Sequence, residues 1–416
     1  MTPDPAADPA LVRDVAHALV NTLLVRAAVV VEEGYATAGD VDLAMRLGCG
    51  LPVGPIELLR QQGTGVVRAS LDGDPPTGVP LEDVAADLVG RWGAGESLSA
   101  ALTRDRPSDA PRPASGPAVS GPAVSGPAVS GSVAAGGDVG VLGSGTMAAG
   151  IAQVLAVAGF RTVLVARSQA KADAAVKRIA DSLSRAEVRG KVSAETRERA
   201  LARLEAGDDR ASLRDCHLVV EAVVEDLAVK EAAFADLDTI CGPGTILAST
   251  TSSLSVTRLA TVTNRPSSVL GLHFFNPAPM MKLVEVVRTE HTGDDTWRTA
   301  LAVCDRVGKT GVTCPDRTGF IVNHLLLPYL NDAVRALDRG GVGVVELDQA
   351  IETGFGYPMG PFRLLDTIGL DVSLTIQREL FAASGSPWLE PAPLLEELVG
   401  LGRLGRKTRT GFHDYE

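Results

Sequence analysis

Two distant segments of this chain share one sequence pattern, and their register does not change. The pattern Gly-x-Gly-x-Pro-x-Gly-Pro-x-x-Leu-Leu starts at Gly48 and again at Gly354, an offset of 306 residues. Further identities keep that offset without a gap: Leu19 with Leu325, Leu24 with Leu330, Ala27 with Ala333, Gly34 with Gly340, Asp42 with Asp348 and Gly63 with Gly369. Chance does not hold one register over about fifty residues, so the chain carries two copies of one module around a central segment.

Both copies are predicted to be helical. Each opens with a long apolar segment of helical periodicity, Leu11–Glu33 in the first copy and Gly319–Arg339 in the second. Gly34 and Gly340 follow these segments, where a left-handed glycine commonly ends a helix. Since each copy must bury one apolar face, we expect the N-terminal copy to pack against a C-terminal copy of the module.

A low-complexity stretch separates the first copy from the centre. Ser-Gly-Pro-Ala-Val occurs three times within residues 115–129. Small residues with regularly placed proline cannot build a core, so this stretch is predicted to be a flexible linker. We therefore predict a helical domain at residues 1–105, a Pro/Gly/Ser linker at 106–137, a central domain at 138–315 and a second helical domain at 316–416.

Composition and charge exclude several classes of protein. Of the 416 residues, 45% are hydrophobic and 22% are charged, which suits a chain with buried cores. The 51 acidic residues outnumber the 39 basic ones, so general binding to nucleic acid or to an anionic membrane is not expected. The five cysteines are scattered, which argues against a disulfide framework and a cysteine-ligated zinc site, and no metal is expected.

Neither a signal peptide nor a membrane span is expected. Residues 1–9 carry Asp and Pro but no basic-then-apolar run. Val139–Phe160 has no charged residue, yet five glycines interrupt it, and its first residues are typical of a short buried strand. We therefore expect a cytoplasmic enzyme.

The central domain alternates between short apolar runs and helical stretches. The predicted strands are Val139–Leu142, Thr162–Val165, Leu218–Glu221, Thr245–Ala248, Val269–His273 and Lys282–Val287. The predicted helices are Thr146–Ala158, Lys171–Arg185, Ala228–Asp238 and Thr296–Val307. Such alternation predicts an α/β domain with a mainly parallel sheet and helices on its faces.

A glycine-rich turn follows the first predicted strand. Gly143 allows a tight turn, Gly145 lets the backbone approach a pyrophosphate, and Ala148 permits close packing of helix on strand. Thr146 and Met147 begin the helix, whose positive N-terminus would meet the phosphates. The arrangement predicts a Rossmann-type dinucleotide-binding domain.

The end of the second predicted strand bears on the choice of cofactor. Domains that bind NAD normally place an acid there for the ribose 2′-hydroxyl, whereas this chain has Ala166, Arg167 and Ser168. A guanidinium beside a hydroxyl suits a 2′-phosphate. The sequence therefore favours NADP(H), with NAD(H) as the alternative.

Four polar residues are expected at the C-terminal ends of predicted strands, just past them, or at the junction with the last helical domain: Ser252, His273, Glu285 and Asn323. Removing hydride from a secondary alcohol needs a base for the hydroxyl proton, and histidine suits that role near neutral pH. A carboxylate can fix the imidazole tautomer, and hydroxyl and amide groups can orient substrate oxygens. The four residues together predict a dehydrogenase site.

Motifs around these residues resemble the 3-hydroxyacyl-CoA dehydrogenase family over residues 138–416. The motifs are His273-Phe-Phe-Asn276-Pro277 with Lys282-Leu-Val-Glu285-Val, Gly319-Phe-Ile-Val-Asn323, Gly356-Tyr-Pro-Met-Gly-Pro-Phe and the ending from Gly405 to Phe412. The resemblance implies a Rossmann-type domain followed by an all-α domain for substrate binding and dimerisation. It also implies reversible hydride transfer on a short-chain 3-hydroxyacyl-CoA, as in 3-hydroxybutyryl-CoA dehydrogenases.

The resemblance further implies a role for each matching residue. His273 would be the general base in oxidation and the acid in reduction, with Glu285 as its partner. Ser252 and Asn323 would hold the 3-oxygen and the thioester region of the substrate. The implied cofactor contacts are Glu225, Lys230, Asn276 and Lys407, and the implied CoA contacts are Ser182 with Arg189 or Lys191.

The chain departs from the family pattern at several points. Thr250 stands where the family usually has Asn, Thr318 where it usually has Pro, and Ala166 where it has Asp. The first helical copy stands at an unfamiliar place in the chain and lacks a nucleotide loop of its own. His17 occupies the position that matches Asn323, and we expect a structural role for this copy.

Two other functions remain open at this point. A related dehydrogenase could act on hydroxyacyl groups bound to acyl carrier protein, and a non-catalytic nucleotide-binding scaffold could keep the same fold. The expected partner is an acyl-CoA. The assembly is expected to be a homodimer, or a monomer in which the first helical copy replaces the dimer contact.

Overall fold

The computed structural model describes residues 8–63 and 137–416. Residues 1–7 and 64–105 of the predicted first helical domain, and most of the predicted linker, lie outside the described residues. The described residues form two compact units. One unit, the sheet unit, contains residues 137–251 and Val256–Gly311. The other, the helical unit, contains residues 8–63, Ser252–Ser255 and Val312–Glu416.

The sheet has eight strands in the order β3-β2-β1-β4-β5-β6-β7-β8. Its strands are β1 (Val139–Leu142), β2 (Thr162–Val165), β3 (Leu204–Gly207), β4 (Leu218–Glu221), β5 (Ile246–Ser249), β6 (Val269–Phe274), β7 (Leu283–Arg288) and β8 (Thr310–Pro315). Neighbouring strands from β3 to β6 run parallel, and β7 runs antiparallel to β6. The order reverses between β1 and β4, which is where such sheets bind nucleotides. The α/β fold with a Rossmann-type sheet is therefore confirmed.

Helices flank this sheet because its central strands are apolar on both sides. Every residue of β1, β2, β4 and β5 is buried, as expected for a parallel sheet covered on two faces. Ile151 and Leu155 belong to the same buried cluster as Leu164 and Val220. The helices of this part are α4 (Thr146–Val157), α5 (Gln169–Val188), α6 (Ala194–Ala202), α7 (Leu227–Ile240), α8 (Val256–Thr261) and α9 (Asp294–Arg306).

Within the sheet unit, the sequence does not predict two of the strands and two of the helices, and three predicted strands differ at their ends by one residue. Strands β3 and β8 lie at the two edges of the sheet, and their sequences contain glycine, Glu205 or Pro315 and no long β-branched run. Edge strands of this kind form because a neighbour offers hydrogen bonds, which local propensity does not report. Helices α6 and α8 are short, so their periodicity is weak.

The apolar segment Val139–Phe160 is divided between strand β1 and helix α4. Helix α1 (Pro9–Glu32) is the described helix that is long and apolar enough to cross a membrane. In this structure 78% of its most apolar window is buried inside the protein. The helix is therefore packed as a core helix of the helical unit.

The helical unit combines the two copies of the repeated module. The first copy contributes α1, α2 (Ala38–Cys49) and α3 (Pro55–Gln62). The second contributes α10 (Val322–Asp338), α11 (Val344–Phe355) and α12 (Pro361–Ile368), followed by α13 (Leu370–Ser384) and α14 (Pro393–Gly400). Gly34 and Gly340 have φ of 69° and 83°, which confirms the predicted left-handed residues after α1 and α10. The extra N-terminal helical copy is thus confirmed.

The two copies pack against each other, as the sequence predicts. Helix α1 packs on α10 and α11, and α10 also packs on α2. At the edge of this contact, the Tyr35 hydroxyl donates to the Pro315 carbonyl at 2.9 Å, and Arg317 pairs with Glu33 at 2.9 Å. The aliphatic face of the first copy is buried by this packing.

Candidate active site

The turn after β1 needs glycine at its first position. Gly143 has φ of 141°, which side chains rarely adopt. A Cβ there would lie 2.3 Å from the Ala222 carbonyl oxygen and 3.3 Å from the Ala148 Cβ. The ends of β1 and β4 and the start of α4 therefore approach as closely as the predicted nucleotide loop requires.

The start of α4 suits a phosphate group. Gly145 is the N-cap of α4, no side chain caps the helix there, and a Cβ on Gly145 would meet nothing within 4 Å. Thr146 is exposed and Met147 half-buried beside this opening. Uncapped N–H groups at the positive end of a helix dipole bind anions, so these residues fit the pyrophosphate of a dinucleotide.

A positive and a negative side chain, one after β2 and one after β3, lie near the start of helix α5. Ala166 is buried, Arg167 is exposed, and Ser168 is the N-cap of α5 without a side-chain cap bond. The Asp208 carboxylate accepts a hydrogen bond at 3.1 Å from the backbone N–H of Gln169. Asp208 follows β3, a strand that sequence patterns do not reveal, so the sequence analysis missed this acid.

His273 and Glu285 meet across two antiparallel strands. They are paired residues in the register of β6 and β7, and His273 Nδ1 lies 2.7 Å from Glu285 Oε2. Both are buried, with exposed fractions of 4% and 0%. Glu285 stands within β7, not at its end as the sequence suggested, because the antiparallel turn brings mid-strand residues opposite the end of β6. A buried carboxylate at this distance fixes the imidazole tautomer.

Ser252 and Asn323 come together in the helical unit. The Asn323 side-chain amide donates to the backbone carbonyl of Ser252 at 3.5 Å. Asn323 stands in the first turn of α10 and is 9% exposed. Gly319 and Phe320 precede the helix with φ of 77° and 50°, and these conformations set the direction in which the helix starts. The structure thus forms two pairs, one in each unit, from the four predicted residues.

Lys230 and Glu225 belong to a partly buried polar cluster at the ends of β4 and β5. The Lys230 ammonium, 1% exposed, contacts Glu221 at 2.8 Å and Glu225 at 3.2 Å. The Ser249 hydroxyl donates to Glu221 at 2.7 Å, and the Thr251 hydroxyl donates to Glu225 at 2.5 Å. Glu225 is therefore held at a fixed place with a third of its side chain exposed. Sequence reasoning missed Glu221, whose only signal is an acid at the end of an apolar strand.

The remaining predicted contacts lie at the surface. Asn276 is exposed after β6, and Lys407 pairs with Asp371 at the start of α13. Ser182 is half-buried on α5, and Arg189 and Lys191 are exposed in the turn between α5 and α6. Among residues 8–63 and 137–416, no group of three or more His, Cys, Asp or Glu side chains could hold a metal ion.

His324 is expected to make the free energy of unfolding depend on pH. Burial of the ring lowers its pKa to about 3 from the usual 6.5, and Arg317 adds to this effect. Because the unfolded chain would bind this proton and the folded chain would not, we expect the free energy of unfolding to fall as pH drops from about 6.5 towards 3, by up to about 1.4 kcal/mol per pH unit. Denaturant titrations of wild type and His324→Gln at several pH values will measure this slope. A variant slope as steep as that of wild type would contradict it.

Sequence models of one protein family match residues in both units. The family sequence model described as "3-hydroxyacyl-CoA dehydrogenase, NAD binding domain" matches residues 138–317. The one described as "3-hydroxyacyl-CoA dehydrogenase, C-terminal domain" matches twice, at residues 15–82 and 319–415. The two matches of the second description coincide with the two helical copies.

Individual proteins give the same result. A 3-hydroxybutyryl-CoA dehydrogenase from Mycobacterium tuberculosis is 44% identical over 67% of this chain and 98% of its own length. The mitochondrial hydroxyacyl-coenzyme A dehydrogenase of Rattus norvegicus is 42% identical over 67% of this chain and 91% of its own. The crystal structure of (S)-3-hydroxybutyryl-CoA dehydrogenase PaaH1 from Ralstonia eutropha matches with a TM-score of 0.65 and 38% identity, over 67% of this chain and 99% of that one.

Proposed function

Because this chain belongs to the 3-hydroxyacyl-CoA dehydrogenase family, we propose that it interconverts short-chain 3-hydroxyacyl-CoA and 3-oxoacyl-CoA thioesters. The observation that carries this function is the buried His273–Glu285 pair, in the same unit as a turn that fits a dinucleotide. A nicotinamide cofactor, when bound, supplies the acceptor for the hydride from C3 of the substrate.

The chain's own residues manage the proton and the substrate. We propose that His273 takes the 3-hydroxyl proton on its Nε2 during oxidation, because Nδ1 is engaged by Glu285. Glu285 holds the ring and stabilises the imidazolium that forms. In the reverse direction His273 returns the proton to the 3-oxygen. Ser252 and Asn323 orient the 3-oxygen and the thioester region.

Other residues bind the two larger molecules. We propose that Gly143, Gly145, Thr146 and Met147 receive the cofactor phosphates, and that Glu225, Asn276 and Lys407 contribute further cofactor contacts. Because Lys230 is buried between two carboxylates, its part is to position Glu225. We propose that CoA contacts helix α5 and the turn between α5 and α6, through Ser182, Arg189 and Lys191. The domain boundaries at 105, 137 and 315 and a cytoplasmic location are part of the same proposal.

One assay tests the function. Absorbance at 340 nm is followed with acetoacetyl-CoA and each reduced cofactor, and consumption of the cofactor is expected. If acetoacetyl groups on acyl carrier protein react and the CoA thioester does not, the carrier-protein alternative replaces the proposal. No consumption with either thioester and either cofactor would leave the scaffold alternative.

We also propose a preference for NADP(H) over NAD(H). Arg167 is exposed at the end of β2, and Ala166 replaces the acid that takes the ribose hydroxyls in NAD-specific domains. A charge-assisted contact is worth about 1.5–3 kcal/mol, and solvent screening reduces this at an exposed site. The Asp208 carboxylate, which follows β3 and lies at the start of α5, would repel a 2′-phosphate bound there. The preference therefore depends on the balance between Arg167 and Asp208.

The cofactor preference is measured by kcat/KM for NADPH and NADH with acetoacetyl-CoA. We expect wild type to favour NADPH by about tenfold. Arg167→Ala should remove that advantage with little effect on NADH, and Ala166→Asp should shift the ratio towards NADH. Asp208→Asn, as the matched control, should raise the ratio. Equal or better efficiency of wild type with NADH would refute the preference.

A further inference from the structure

The two helical copies pair about an approximate two-fold axis. Helix α1 packs on α11, and the repeat-equivalent pair, α10 on α2, also packs. The loops repeat this reciprocity: a Cβ on Gly50 would lie 3.2 Å from Pro358 Cγ, and a Cβ on Gly356 would lie 3.6 Å from Pro52 Cγ. Since 306 residues separate Gly50 from Gly356 and Pro52 from Pro358, each contact is the image of the other. Such reciprocity is the mark of an isologous interface, here within one chain.

One ion pair lies on that axis. Arg26 of α1 contacts Asp332 of α10 at 2.6 Å, and these two positions are also 306 residues apart. In a two-fold pairing, only a residue on the axis meets its own equivalent. The repeat thus has Arg at this position in one copy and Asp in the other. Both side chains are buried, with exposed fractions of 3% and 0%.

Several polar atoms of the Arg26–Asp332 pair lack hydrogen bonds within the part of the chain that the structure describes, which argues against a large contribution of the pair to the stability of the fold. Arg26 Nε and Nη2 and Asp332 Oδ1 have no hydrogen-bond partner in the described part of the chain. The Arg26 guanidinium also lies 4.6 Å from the centre of the Trp388 ring, which covers it from water. A buried ion pair with unsatisfied atoms is often no better than apolar residues of the same size. The pair does provide a difference in free energy between pairing of the two unlike copies and pairing of two like copies.

We propose that the Arg26–Asp332 pair makes the two helical copies complementary to each other and not to themselves. If the second copy paired with the second copy of another chain, two Asp332 carboxylates would meet at the buried axis. Pairing of two first copies would bring two Arg26 guanidiniums together. Two carboxyl groups can meet on a dry axis only if one of them is protonated, and two guanidiniums keep both charges, so pairing of like copies is disfavoured at neutral pH. This face therefore selects the opposite copy, and the C-terminal copy does not form a symmetric dimer between chains.

Charge reversal in the full-length chain tests this pairing rule. Arg26→Asp gives two acids on the axis, and Asp332→Arg gives two bases. Each should lower the unfolding midpoint of the helical unit by about 6–20 °C, because one partner of a buried pair becomes an opponent. The double variant, Arg26→Asp with Asp332→Arg, should recover most of the loss as a single-chain particle. Arg378→Asp, in an exposed pair with Glu396, is the matched control and should change little.

Co-expression of the two single variants gives the decisive result. Each lacks an acceptable partner within its own chain, but the first copy of the Arg26→Asp chain is complementary to the second copy of the Asp332→Arg chain. The two remaining copies then meet through the wild-type pair of an arginine and an aspartate. We expect the two chains, carrying different tags, to co-purify at equal amounts as a two-chain particle with a recovered unfolding midpoint.

Four outcomes would overturn the proposal. The first is that the single variants are as stable as wild type, and the second is that the double variant is no more stable than the singles. The third is a symmetric dimer of Arg26→Asp alone. The fourth is failure of the two single variants to associate when they are co-expressed.

Discussion

Replacing His273 by alanine or glutamine is expected to lower kcat by about 10²–10⁴-fold while the fold stays intact. That range is the usual contribution of a positioned general acid–base. His273 is held at 2.7 Å by a carboxylate on the next strand, so its removal deletes both the proton acceptor and the group that Glu285 orients. The measurement is kcat with acetoacetyl-CoA, together with circular dichroism and the unfolding midpoint of each variant.

Two further variants show whether the loss is specific. Glu285→Gln keeps the shape of the side chain but removes the charge that stabilises the imidazolium, so it should also slow turnover. His17→Ala removes a histidine from the first helical copy, at the position equivalent to Asn323. The His17 ring lies against Phe355, away from the His273–Glu285 pair in the sequence of elements, and its loss should leave kcat unchanged. A near-normal kcat in His273→Ala would remove this residue from the mechanism.

Deleting residues 1–105 is expected to cause aggregation or a changed oligomeric state. The deletion removes α1, and with it a set of fully buried aliphatic side chains that includes Leu19, Leu23 and Leu24. Leu23 lines a small cavity of about 20 Å³ with Leu326 and Tyr329 of α10, so those side chains would become exposed. An exposed apolar face of this kind promotes association.

Sedimentation velocity and thermal unfolding will check this prediction. The control is deletion of residues 1–7 only, which leaves α1 and its Asp8 N-cap in place. If the pairing rule at Arg26 and Asp332 holds, the longer deletion will not settle into a clean symmetric dimer, because the exposed face carries Asp332. A truncated protein that stays soluble, equally stable and unchanged in oligomeric state would contradict the importance of the first copy.

Local patterns determined much of this protein. The glycine turn between β1 and α4 follows from a short buried strand, two glycines and an apolar helix within a dozen residues, so a short window of sequence contains the whole signal. The two helical copies follow from a repeat whose register is unbroken. Their long helices were predictable because apolar periodicity and the glycines at 34 and 340 agree.

Only the tertiary structure decided features that depend on distant partners. Strands β3 and β8 have weak local preference and exist because neighbouring strands offer hydrogen bonds at the edges of the sheet. Asp208 reaches the start of α5 only because β3 lies beside β2. Lys230 looks like an ordinary helix lysine in the sequence, yet it is buried between Glu221 and Glu225.

For the Arg26–Asp332 pair, the sequence determines one part of the result and the tertiary structure the other. The sequence determines that two copies exist and that these two positions are equivalent. It does not show that they lie on an axis, because that depends on how α1 and α10 cross. Periodicity and propensity are set by neighbours within a few residues, whereas the burial of a charge and the choice of its partner are set by packing across the whole chain.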